Sequence, residues 1–125
     1  MVKFNVDYDR NNDNLFLFNA KNKSIFTLEF GNFDIDLNKK GEIVGLEFTN
    51  ASKFFYILLK NNSALTSIHK VKTFLKNTKN SKIIMNNLRK GTIINIFLET
   101  ETANVSTNLT IPKFADKKEI QVILN

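Results

Sequence analysis

The sequence contains no cysteine. Disulfides, thiolate nucleophiles and thiolate metal ligands are therefore excluded. Histidine occurs once, as His69. A lone histidine, with Ser67 two positions away and no neighbouring carboxylate, builds neither a triad nor a metal site in sequence terms. It reads as a partly exposed, neutral residue. Glycine is scarce, with four residues and no cluster among them. That removes the phosphate loop, the dinucleotide fingerprint and the nucleophile elbow. No apolar run approaches the roughly 18 residues of a membrane span. The N-terminus carries charge within its first ten residues and lacks the apolar stretch of a secretory signal. These absences point to a cytoplasmic protein that is not embedded in a membrane, is not an enzyme and carries no cofactor.

What is present describes an ordinary globular chain. It has 125 residues, enough for one domain and one core. Hydrophobic residues make up 42% and charged residues 24%, which is too apolar for disorder. Asparagine occurs nineteen times, consistent with an A- and T-rich coding sequence. The same bias produces N-x-S/T triplets at Asn22, Asn50, Asn61, Asn104 and Asn108. Without a signal peptide they are chance products rather than glycan sites.

Charge is distributed unevenly. Residues 1–62 hold eight basic and eight acidic side chains, while residues 63–125 hold ten basic and four acidic ones. The whole net charge of +6 therefore sits in the second half. No Asp or Glu occurs between Glu47 and Glu99.

The first half reads as short strands at 2–8, 15–18, 24–30, 33–37 and 42–48. Polar turns separate them, including Asn11-Asn12-Asp13-Asn14 and Asn38-Lys39-Lys40-Gly41. In 33–37, Phe33, Ile35 and Leu37 alternate with Asp34 and Asp36. Close spacing predicts a five-stranded antiparallel meander. At Asn50 the period changes: Phe54/Leu58 and Phe55/Leu59 lie four apart, and Asn50 is a suitable N-cap. One main helix is expected over 51–60, packed on the meander. Residues 64–76 fit a helical stripe through Leu65, Ile68, Val71 and Leu75, but Val71, Thr73 and Leu75 also alternate. The favoured reading is one helical turn at 64–68 and a strand at 70–76. Further strands are expected at 81–86, 92–100, 104–111 and 119–124. The fold class is α+β and mostly antiparallel β.

Certain residues form a recognisable pattern. They are Tyr8-Asp9, Asp13 and Leu15, then Asp34 and Asp36, then the run from Gly41 through Glu47 into Asn50-Ala51-Ser52-Lys53. With these the first 60 or so residues resemble the prokaryotic domain-of-unknown-function family 2283. Residues 63–125 are similar to the β-rich extension of some archaeal members. The resemblance implies a small α+β fold, no established activity and a binding or antitoxin-like role. It carries over no catalytic residues. The matched residues also have a structural reading: Gly41 suits a turn needing positive φ, and Gly45 a bulge or a close backbone approach.

Two segments open like calcium loops, Asp7-x-Asp9-x-Asn11 and Asp34-x-Asp36-x-Asn38. Both lack glycine at loop position six, where Asn12 and Lys39 stand. Both lack the closing glutamate, where Phe18 and Gly45 stand. No metal site is expected. The feature above background is the acid-free basic stretch. On a strand, Lys70, Lys72, Phe74 and Lys76 would share a face and could meet phosphates and stack a base; if 64–79 is helical, Lys72, Lys76 and Lys79 stack on one face instead. Lys79, Lys82, Arg89 and Lys90 extend it. With only two arginines in the chain, sequence-specific base reading is disfavoured. The leading expectation is a non-enzymatic protein-interaction module. Its partner is another protein or a second copy, a homodimer paired through edges such as 119–124. The alternative is weak, sequence-tolerant binding of RNA or DNA through residues 70–90.

Overall fold

A computed structural model describes residues 2–59, 62 and 64–112. The expected antiparallel α+β architecture is present. Strands β1 (Val2–Asp9), β2 (Asn14–Phe18), β3 (Phe26–Glu29), β4 (Phe33–Leu37) and β5 (Ile43–Phe48) precede two helices, α1 (Ala51–Leu58) and α2 (Ile68–Asn77). Strands β6 (Asn80–Leu88), β7 (Gly91–Glu99) and β8 (Asn104–Pro112) follow. All eight strands join in one sheet of order β3-β4-β5-β2-β1-β6-β7-β8.

Every neighbouring pair is antiparallel, but the order is not that of a simple meander. β1 and β2 form a hairpin, and β3, β4 and β5 run consecutively. It is β5, not β3, that lies beside β2. β1 spans the two halves of the sheet. Its first residues pair with β6, and Asn5 onward pair with β2. Ser81, fully buried, donates its hydroxyl to the Phe4 carbonyl at 3.0 Å and ties β6 to β1.

Two expectations about the middle of the chain are corrected. Residues 70–76 are helical rather than extended, and α2 makes a second helix where one main helix was expected. Ser67 supplies the reason, since its side chain accepts the Lys70 amide hydrogen at 3.1 Å. Val71, Phe74 and Leu75 then fall on one buried stripe, while Thr73, which a strand would have placed with Val71 and Leu75, is exposed. The strand expected at 119–124 lies outside the described residues.

The core fills the concave side of the sheet. Leu15, Leu17, Leu46 and Phe48 meet α1 through Phe55, whose ring stands edge-on to Phe48 at 5.0 Å. Ile83, Ile94, Ile96 and Leu98 belong to the same cluster, as do Val71 and Leu75 of α2. Phe55 and Leu59 are buried as expected, and Phe54 and Leu58 are half-buried against them. Both helices thus cover one face, and among the described residues none covers the other. No described helix is long and apolar enough to cross a membrane.

Candidate functional site

The basic stretch divides once folded. Phe74 is 8% exposed and lies in the core, so it cannot stack a base. Lys79 pairs with Glu101, and Lys82 with Glu99 at 3.3 Å. Lys76 lies in electrostatic reach of Asp9, and Lys72 in reach of Asp13. Acidic charge missing from the local sequence is thus delivered by β1, the β1–β2 turn, the end of β7 and the β7–β8 turn. Lys70 donates to the Thr66 hydroxyl. Arg89 and Lys90 are exposed at the two-residue tip of the β6–β7 hairpin. At ~3.4 Å per residue that tip is about 24 Å along the strand from Lys82. The eight residues do not form one patch.

His69 is exposed on α2, with the Arg10 guanidinium 3.4 Å from Nδ1. It faces a cleft of about 750 Å³ between α2 and the β7–β8 turn, shared with Lys70, Thr73, Asn77, Glu101 and Thr102. Among the described residues no hydrogen bond joins His69 to a carboxylate or a hydroxyl, so no nucleophile–base pair is assembled there. No group of three or more acidic or imidazole side chains there is placed to hold a metal ion.

Tyr8, Asp13 and the Asn50–Ser52 segment, among the residues carrying the family resemblance, converge at a joint. Asp13, at φ 57°, ends the β1–β2 turn, and Asn50, at φ 48°, leads into α1. Such left-handed backbone is commonest, glycine aside, in Asn and Asp. Asn50 occupies the cap position, but its side chain makes no capping bond. Asp13 does the capping instead. Its backbone carbonyl accepts the Ala51 amide at 2.9 Å, and Oδ1 accepts the Ser52 amide at 3.0 Å. Oδ2 accepts the Ser52 hydroxyl at 2.6 Å, and the Tyr8 hydroxyl donates to Oδ1 at 2.7 Å. Burial works to raise the Asp13 pKa. The Ser52 hydroxyl, the Tyr8 hydroxyl, the Ser52 amide and Lys72 outweigh it and hold the carboxyl below its ordinary value. Burial and the bond to Asp13 push the Tyr8 phenol well above its usual value. The network is fully satisfied and structural.

The opposite, uncovered face holds what the sequence reading missed. Register aligns Glu29 with Asp34, Asp34 with Glu47, Glu47 with Phe16, and Phe16 with Asp7. A second row runs Thr27, Asp36, Gly45, Phe18 and Asn5. Five carboxylates and no base stand in these two rows. Phe16 and Phe18 stack at 4.9 Å between ring centres and are half-buried. Asp36 is 7% exposed and accepts the Thr27 hydroxyl at 2.6 Å. Both expectations for Gly45 are met. The register shifts between Asp36 and Leu37, leaving Val44 as the extra residue of a bulge. A Cβ at Gly45 would stand 2.7 Å from Asp36 Oδ2 and 3.2 Å from Phe16 Cε1.

The charges on this face act on one another. Desolvation raises the Glu47 pKa, and the charge of Asp36, a hydrogen bond between the two carboxyls and the charge of Asp34 raise it further. Desolvation, Glu29 and Asp36 raise Asp34. Of this face only the Asp34/Asp36 alternation is legible in the sequence; Glu29 and Glu47 are brought beside it from the strands that flank β4.

No family model and no solved structure matches the chain. An uncharacterized protein of Methanocaldococcus jannaschii is 39% identical over 74 residues, which cover 56% of this chain and 64% of that protein. The chain thus aligns with less than two thirds of that relative's length. The resemblance to family 2283 rests on the residues quoted above and has no matching family model behind it.

Proposed function

We propose that this protein is a non-enzymatic protein-interaction module, and that its working surface is the uncovered face of β1–β5. One observation carries the reading: the stacked Phe16–Phe18 pair stands on a side of the sheet that no described helix covers. Aromatic surface held half-open amid polar side chains is characteristic of the centre of an interface. An antitoxin-like role, implied by the family 2283 resemblance, is a special case in which the bound protein is masked. Convergence of Tyr8, Asp13 and Ser52 on one joint supports reading that resemblance as a shared scaffold. Nucleic-acid binding through residues 70–90 is weakened by Phe74 in the core, by the ion pairs of Lys79 and Lys82, and by the acidic charge of Asp9 and Asp13 on the side of Lys76 and Lys72.

The test compares wild type with Phe18→Ser and with a hairpin-tip control, Arg89→Ala/Lys90→Ala, in capture from native cells followed by purified binding. The reading expects a protein partner held by wild type and the control and released by Phe18→Ser. A partner indifferent to the sheet face, or substrate turnover by the purified protein, overturns it.

A further inference from the structure

Resting on that reading, the chemistry of the face narrows its partner. The row Glu29, Asp34, Glu47, Phe16, Asp7 crosses five adjacent strands. At ~4.8 Å between strands it extends about 19 Å. Two of its neighbouring pairs, Glu29/Asp34 and Asp34/Glu47, set like charges directly opposite each other. Such pairs destabilise a sheet. Asp36 adds a fifth carboxylate one row away, held in place by Thr27. Breaches of local consistency of this kind gather at functional surfaces.

The arrangement is unusual for this chain. The protein as a whole carries +6, and its first half is neutral. Yet of the bases of that half, Arg10, Lys21, Lys23, Lys39 and Lys40 sit in the connections between strands and Lys53 on α1, while Lys3, exposed on β1 opposite Lys82, lies beyond both rows. The sheet face is left with acids alone in these two rows. The charge is also spread rather than focused, since no three of the described carboxylates converge as metal ligands would. A small cation is therefore a poor match, and an extended array of cations a good one. Phe16 and Phe18, placed beside Glu47 and Asp7, offer ring faces for aliphatic stems or for a guanidinium plane.

We infer that the outward face of β1–β5 docks a basic polypeptide segment. Its lysine or arginine charges lie along the Glu29–Asp34–Glu47–Asp7 row, and its side-chain stems rest on the Phe16–Phe18 pair. Charge complementarity selects this occupant. Nucleic acid is repelled by the row. A second copy could reach it only by presenting its own lysines, and would register as self-association.

The probe is a synthetic nine-residue arginine peptide, with a glycine–serine peptide and a glutamate peptide as controls, titrated onto the full chain. Net positive charge opposes non-specific capture of such a peptide, so binding reports the local face. Wild type is expected to bind the arginine peptide, more weakly as salt rises, and neither control. The Asp34→Asn/Glu47→Gln variant is expected to lose on the order of tenfold in affinity. It should melt at the same temperature as wild type or higher, because it removes like-charge repulsion, so lost binding cannot be ascribed to unfolding. Phe18→Ala is expected to weaken binding while leaving its salt dependence intact. Absence of peptide binding, affinity unchanged in Asp34→Asn/Glu47→Gln, or equal binding of the glutamate peptide overturns the inference. If native partner capture depends on Phe18 but not on Asp34 and Glu47, the interaction module stands and the basic partner falls.

Discussion

Asp13 and Ser52 are joined twice across 39 positions of sequence, through the Ser52 amide to Oδ1 and the Ser52 hydroxyl to Oδ2. The turn between β1 and β2 thereby caps the helix that follows β5. Tyr8 closes the same carboxylate from the side. Geometry of α1 over the sheet is set by that joint as much as by apolar packing.

Removing the carboxylate should therefore cost more than losing a surface cap. Asp13→Ala leaves the buried Ser52 hydroxyl and the Tyr8 hydroxyl without their acceptor. A loss of about 2–3 kcal/mol is expected in denaturant unfolding. Ser52→Ala should cost about 1 kcal/mol. The double variant should cost less than the sum, since both remove one network. Strict additivity would show that the two groups act separately.

Gly45→Ala should destabilise by about 1–3 kcal/mol, through overpacking against the Asp36 carboxylate and the Phe16 ring. Adding Asp36→Ala should recover part of that loss, because the 2.7 Å contact is with Asp36 Oδ2. Recovery is partial because Phe16 and the Asp36 Cβ remain close. Equal melting temperatures for wild type and Gly45→Ala would refute the close approach.

The pH dependence combines opposite signs. Glu47 and Asp34 have folded pKa values raised above their ordinary ones, so the fold binds protons more readily than the unfolded chain. Their contribution is present below the ordinary carboxylate range and is lost as pH rises through the raised values. Asp13 is lowered, so its contribution is present above the ordinary value and is lost as pH falls through the lowered one. Tyr8 is raised from 10.0, so its contribution fades as pH climbs above 10.0. Glu47→Gln should flatten the decline that sets in above the ordinary carboxylate range, and Tyr8→Phe the alkaline one. Unfolding measured from pH 3 to 11 checks both; profiles identical to wild type would contradict these assignments.

Phe55 is fully buried against Phe48, and Phe55→Ala should cost about 3–5 kcal/mol. Phe74→Ala should cost a comparable amount and leave nucleic-acid binding unchanged, since its ring is in the core. Chemical denaturation and a low-salt titration with single-stranded DNA separate the two effects. Loss of DNA binding by folded Phe74→Ala would restore a stacking role.

Lys72→Ala/Lys76→Ala tests what remains of polyanion binding. If Asp13 and Asp9 already engage these lysines, any salt slope for single-stranded DNA should change by much less than the roughly 0.7 per contact expected of free phosphate contacts. A drop of about 1.4 for the pair would mean that both touch phosphate.

Local pattern alone determined the strands of the first half and α1, because alternation and four-residue spacing report burial without reference to distant chain. Gly41 was likewise legible, since its positive φ is a local demand of the turn, whereas the space Gly45 requires is set by Asp36 and Phe16 on neighbouring strands. Residues 64–77 were not: Val71, Thr73 and Leu75 satisfy period two while Ile68, Val71 and Leu75 satisfy the helical stripe. Only the Ser67 cap and the position of the core resolve that tie. The acidic face and the dispersal of the basic stretch were decided by tertiary structure alone. Glu29, Asp34, Glu47 and Asp7 lie on four different strands, and β2 beside β5 is a pairing that no short-range signal encodes. Glu99, Glu101, Asp9 and Asp13 reach the lysines the same way, from elements remote in sequence. Charge acts through space over a few ångströms, whereas sequence reports charge only along the chain, so an acid-free stretch of sequence is not an acid-free surface.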